Sequence, residues 1–147
     1  MVDERLERGA AVAATRQAGL RLAKLAAAWS GGLLAFFGVL YVIASERMLA
    51  YAELTHLSPT ALTDLRVMYG ALEIAPGLFC LASLGREAWL EPALGLATIT
   101  FTCIPAVRLL GIALDGTANQ YHLVAIAIEL ATCAFSAVAW RGLRPAR

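Results

Sequence analysis

The sequence predicts an all-α integral membrane protein, a four-helix bundle with both termini on the cytoplasmic side. Three observations lead there. Sixty per cent of the 147 residues are hydrophobic and 16% are charged, against about 45–50% apolar and about 25% charged in soluble domains. Four apolar stretches, 25–44, 67–84, 93–114 and 123–140, each come close to the ~20 residues a helix needs to cross ~30 Å of hydrocarbon. The basic residues are lopsided. Arg5, Arg8, Arg16, Arg21 and Lys24 precede the first span, Arg86 lies between the second and third, and Arg141, Arg144 and Arg147 follow the fourth, which makes nine of twelve. Basic loops resist translocation, so these segments stay in the cytoplasm and the membrane is the cytoplasmic (inner) one.

The same arithmetic excludes other classes. The length suits one domain. A net charge of +1 with no basic run among aromatics argues against nucleic acid. Cys80, Cys103 and Cys133 are odd in number and lack CxxC spacing, so neither a disulfide framework nor a zinc ribbon is expected, and they read as small core residues. Val42-Ile43-Ala44 mimics a signal-peptide cleavage site, but the preceding apolar run is too long for a signal-peptide core.

In chain order, residues 1–24 form a basic, alanine- and leucine-bearing tail, read as a solvated cytoplasmic segment rather than a helix on the inner surface. The first span carries Gly31, Gly32 and Gly38, a small-residue face for another helix, a second copy or another membrane protein. The connection 45–66 is the long one. It has a short interfacial helix over 47–57, turn chemistry at Ser58-Pro59, and Thr63 or Asp64 as cap of the second span. In the connection 85–92, Trp89 is an interfacial anchor and Pro92 opens the third helix. The connection 115–122 begins with the turn pair Asp115-Gly116. Residues 141–147 are a second basic tail. Pro76 and Pro105, inside spans, free carbonyls near Leu72 and Phe101.

Charges inside the spans are the informative residues. Even a lenient insertion scale charges about 2.5–3.5 kcal/mol for an Asp, Lys or Arg at a helix centre, so such groups face the bundle interior and pair there. Arg66, Tyr69, Glu73, Gly77 and Cys80 share one face at a 3.6-residue period. Arg108 and Asp115 share another, and His122, Glu129 and Ser136 a third. Glu73, Arg108 and Glu129 each lie six or seven residues from the outer ends of their spans, about 10 Å deep at 1.5 Å per residue. Three helices thus bring a charge to one level, with Arg66, Asp115 and His122 around the mouth above.

Two readings stay open. One is an outward-facing polar pocket in which Arg66, Arg108, Asp115 and His122 bind a ligand. The other is a neutral salt-bridge network that fixes helix register. A metal held by Glu73, Asp115, His122 and Glu129 is disfavoured by the two arginines, and no cofactor is expected.

Arg66-Val67-Met68-Tyr69-Gly70, then Arg108, Asp115-Gly116 and Glu129, resemble the bacterial family called domain of unknown function 4345, small four-helix membrane proteins loosely similar to the DoxX group. The resemblance covers 29–140. It implies a fold and no chemistry. Glu73 stands where the family has small or apolar residues, so a second carboxyl is a departure particular to this chain.

The expected function is binding of a small amphiphilic or lipid-like molecule in the Arg/Glu pocket. The alternative is a cofactor-independent membrane enzyme, an isomerase, a cyclase or an enzyme of epoxide opening, acting on an isoprenoid-like substrate. Glu73 and Glu129 would then serve as acid and base, with Tyr69 orienting one of them; two carboxyls in unlike surroundings can hold opposite protonation states. A third reading is a structural subunit of a membrane complex.

Overall fold

Four helical stretches, each long and apolar enough to cross a membrane, make up the protein; its structure is a computed structural model that describes residues 2–143. Arg144 and Arg147 of the expected C-terminal tail lie outside the described residues. The elements are α1 (Val2–Ile43), α2 (Ser45–Ala50), α3 (Pro59–Leu65), a π-helical turn (Arg66–Ala71), α4 (Leu72–Ala82), a 3-10 turn (Ser83–Gly85), α5 (Glu87–Asp115) and α6 (Gln120–Leu143). No strand occurs among the described residues. From α3 through the 3-10 turn the chain runs as one rod, Pro59–Gly85.

The bundle is a ring in the order α4, α1, α6, α5, with α1 touching every other long helix. Its two ends differ in chemistry. At one end Gly19 of α1 lies against Gly142 of α6, and Lys24 pairs with Glu87 at the start of α5, 3.8 Å apart. Leu90 and Leu94 of α5, Ala139 of α6, and Ala23, Ala26 and Ala27 of α1 are sealed together there. The expected boundary at residue 24 is therefore no structural break: α1 is one 42-residue helix, about 63 Å long. Its packed part starts at Gly19, because the alanine run that follows offers a smooth surface on which α5 and α6 close.

The α1–α4 seam is glycine on glycine. Gly31 faces Gly77, and Gly38 faces Gly70 of the π turn; a Cβ on Gly31 would stand 2.8 Å from the Gly77 carbonyl, and one on Gly38 2.8 Å from that of Gly70. Absent Cβ atoms let the two backbones approach. Of the three glycines expected to form a docking face, Gly31 and Gly38 are thus occupied within the chain, and only Gly32 meets nothing. The α1–α6 seam is polar: Trp29 Nε1 donates to Thr132 Oγ1 at 3.1 Å, and the Ser30 and Ser136 hydroxyls meet at 2.8 Å in the core. The α6 face that does this, Glu129, Thr132, Ser136 and Ala139, is the buried one, in register with the stripe read from the sequence.

Boundaries differ from expectation in three places, each for a local reason. Ser58 rather than Thr63 or Asp64 caps α3, accepting from Ala61 N–H at 3.2 Å, with Pro59 in the first turn; its fixed φ suits that position. Pro92 sits inside α5, which starts at Glu87, near enough to the start that it removes only one early hydrogen bond. The segment 47–57 is helical only to Ala50, and Glu53 and His56 then take positive φ of 61° and 59°. At the other connection Gly116 ends α5 in the left-handed region, φ +67°, its N–H reaching the Ile112 carbonyl. Asn119 Oδ1 accepts from His122 N–H at 3.0 Å to start α6.

The fourth face of the ring is the open one. α4 meets α5 near their connection, where Phe79 stacks on Trp89 and Cys80 packs with Ala93 and Ala97. Trp89, the expected anchor, also lies under the Arg86 guanidinium, 4.6 Å from its ring centroid. Toward the other end the π turn packs mainly on α1, α3 and α4, and Met68, Leu72 and Val107 are left exposed.

Candidate functional site

Near the open end, Arg108 of α5 reaches Glu129 of α6 with two donors, Nη2 to Oε1 at 2.6 Å and Nε to Oε2 at 3.3 Å. Glu129 is only 8% exposed. A guanidinium fork on a carboxylate is the strong form of ion pair. The Arg108 guanidinium also lies over the Tyr121 ring, 5.6 Å from its centroid. The Tyr121 hydroxyl meets that of Tyr41 at 3.4 Å, and the Tyr41 ring stacks on Tyr69 of the π turn, centroids 5.1 Å apart. Arg108, Tyr121, Tyr41 and Tyr69 thus form a chain that links α5, α6, α1 and the π turn.

Glu73 is half-buried and within electrostatic reach of both Arg108 and Glu129. It makes no hydrogen bond or ion pair with a described residue. The three charges inferred to share one depth therefore do come together, but as one tight pair with a third group nearby.

Next to the pair is a cavity of about 480 Å³, within the range of about 300–1,000 Å³ common for small-molecule sites. Its wall on α5 is apolar, made by Ile104, Val107, Gly111 and Ile112, with Cys103 beside them. Tyr69, Arg108, Asp115, Thr117 and His122 supply the polar atoms. The spacing of Ile104, Arg108, Gly111, Ile112 and Asp115 is one helical face. A second hollow of about 460 Å³ adjoins it, sharing Thr117 and His122 and adding Glu53 and Asn119. The Nδ1 of His122 is buried and has no hydrogen-bond partner.

Of the residues singled out in the sequence, Tyr69, Arg108, Asp115 and His122 line the cavity, Glu129 holds Arg108, and Glu73 stands behind. Arg66 does not join them. Its Nε donates to Ser45 Oγ at 2.9 Å, and that hydroxyl donates to the Tyr41 carbonyl, so Arg66 ties the π turn to the α1–α2 elbow. The reason is the π turn itself: the Leu72 N–H bonds the Val67 carbonyl, five residues back. The extra residue in that turn rotates what precedes it by about 100° relative to Glu73. A uniform 3.6-residue period places Arg66 on the wrong face. Tyr41 and Tyr121 escaped sequence reasoning, because a tyrosine near a span end reads first as an interfacial anchor. Cys80 is buried, Cys133 half-buried and Cys103 exposed, all as free thiols.

Comparison with known proteins adds one match. The family described as domain of unknown function (DUF4345) matches residues 22–140. No curated protein and no solved structure matches the chain. The matched stretch opens where α1 enters the core and closes at Trp140, and so contains every residue of the pair, the tyrosine chain and the cavity: the chain belongs to the DUF4345 family, whose function is unknown.

Proposed function

We propose that this protein sits in the cytoplasmic membrane with both termini inside, and binds a small amphiphilic or lipid-like molecule in the cavity beside Arg108. The basic residues at the Lys24–Arg141 end of the bundle support that orientation. The observation that carries the binding reading is the cavity itself, an apolar wall with a few converging polar groups, at a place where the π turn and α5 diverge. An acyl or isoprenoid chain would lie along Ile104, Val107 and Ile112, entering between the exposed Met68, Leu72 and Val107, with its polar end toward Asp115 and His122.

Native mass spectrometry of protein extracted gently with its own lipids tests this. Gly111 lines the cavity, and a Cβ there meets nothing within 4 Å, so Gly111→Phe adds bulk at the cavity wall with no clash at its Cβ. A stoichiometric small molecule on the wild type that is missing from Gly111→Phe supports the reading. Equal occupancy of both proteins, or none on either, overturns it.

A second reading, acid–base catalysis on the bound molecule, draws on Glu73, a carboxyl with no partner among the described residues beside a paired one. Under it Glu73→Gln assembles normally and loses turnover. The structural-subunit reading draws on no such observation.

A further inference from the structure

We infer that the polar end of the molecule taken by this cavity is a cation with N–H donors, an alkylammonium, and not an anion. The inference rests on the ligand-binding reading above and adds the sign of the charge.

Two arginines near the mouth suggest an anion site when read along the sequence, yet neither offers an unbalanced positive charge to the cavity. Arg108 is neutralised by Glu129 through two of its donors, and its guanidinium lies over Tyr121. An anionic head group would meet a guanidinium whose charge a well-buried carboxylate already balances, with only the donors that Glu129 leaves. Arg66 is turned to Ser45 and lies outside the lining.

What remains is negative. Asp115 is exposed on the cavity wall with no ion pair or hydrogen bond to a described residue. Glu53, held at positive φ, lines the adjoining hollow in the same unpaired state. Glu73 stands behind the Arg108–Glu129 pair, within reach of both. His122 is common to both hollows, and its buried Nδ1 has no hydrogen-bond partner among the described residues. In the two connections 45–66 and 115–122, the carboxylates Glu46, Glu53, Asp64 and Asp115 outnumber the guanidiniums Arg47 and Arg66. A primary ammonium satisfies Asp115 by charge, and the Tyr69 ring, stacked on Tyr41 by one face, lies in the same lining.

The test uses the full-length protein in nanodiscs of zwitterionic phospholipid, so that membrane surface charge does not sort the probes. Two photoreactive single-chain probes share one alkyl chain and differ in the head, a primary ammonium in one and a sulfonate in the other. Cross-links to the peptide spanning 103–115 are quantified by mass spectrometry. The expected result is labelling by the ammonium probe that Gly111→Phe suppresses, and a preference over the sulfonate that Asp115→Asn lowers roughly threefold to fivefold, the size of one partly screened charge pair. If the sulfonate probe labels preferentially, or the preference is unchanged in Asp115→Asn while Gly111→Phe still suppresses labelling, the charge assignment falls and the cavity reading stands. If labelling by neither probe responds to Gly111→Phe, both fall.

Discussion

Arg108 and Glu129 hold each other across α5 and α6 with a forked contact of 2.6 and 3.3 Å, in a part of the bundle where either charge alone would be stranded. The pair closes the end of the α5–α6 hairpin, and through Tyr121 and Tyr41 it is joined to α1.

Removing one partner should therefore be much worse than removing both. Arg108→Leu or Glu129→Leu alone leaves an uncompensated charge and should cost about 3–5 kcal/mol, whereas the double variant should lie close to the wild type. Thermal unfolding of the four proteins in one detergent measures the coupling; simple additivity would mean that the two charges do not depend on each other.

The glycine seam makes a sharper contrast. A methyl at Gly77 would stand 2.7 Å from the Ala35 backbone nitrogen, while one at Gly32 meets nothing within 4 Å. Gly77→Ala should destabilise by about 1–3 kcal/mol through forced separation of α1 and α4, and Gly32→Ala should be neutral or slightly stabilising. Unfolding in a graded sodium dodecyl sulfate titration compares them, and equal midpoints would contradict the packing.

Ser58 gives a local test. Ser58→Ala removes the acceptor of the Ala61 N–H and should cost about 1 kcal/mol, the usual value of an N-cap. Hydrogen exchange should quicken in the first turn of α3 and stay unchanged in α5.

The orientation is checked by thiol labelling. With the native cysteines replaced by alanine, a membrane-impermeant reagent added to spheroplasts should reach Ala118→Cys and not Gly85→Cys. The reverse pattern would place both termini outside.

Much of the bundle was legible in the sequence because apolar length and buried charge are strong signals in a membrane. The α6 stripe of Glu129 and Ser136 and the common depth of Glu73, Arg108 and Glu129 follow from a 3.6-residue period and a 1.5 Å rise alone. That arithmetic fails where the helix changes its hydrogen bonding. Nothing in Arg66–Ala71 announces a π turn, so a uniform period places Arg66 on the face of Glu73 when it belongs to Ser45. Glycine spacing shows that a close contact exists but not which helix makes it; Gly31 and Gly38 read equally well as a face for a second copy. The cavity depends on how far α5 diverges from the π turn, a property of tertiary packing that no local pattern carries.

The polar rungs between α1 and α6 also set a condition on how the protein is made. Ser30 finds Ser136 106 residues later, and Trp29 finds Thr132 103 residues later. During synthesis the first helix is complete long before its partner leaves the ribosome. At about 5–20 residues per second it waits many seconds with a hydroxyl and an indole N–H unmatched by the surface they are meant to join. Until the last helix arrives, the Ser30 hydroxyl has its own helix's carbonyls as partners, as the Thr98 and Thr102 hydroxyls do in α5. The chain's final segment is thus the one that completes the seam of its first.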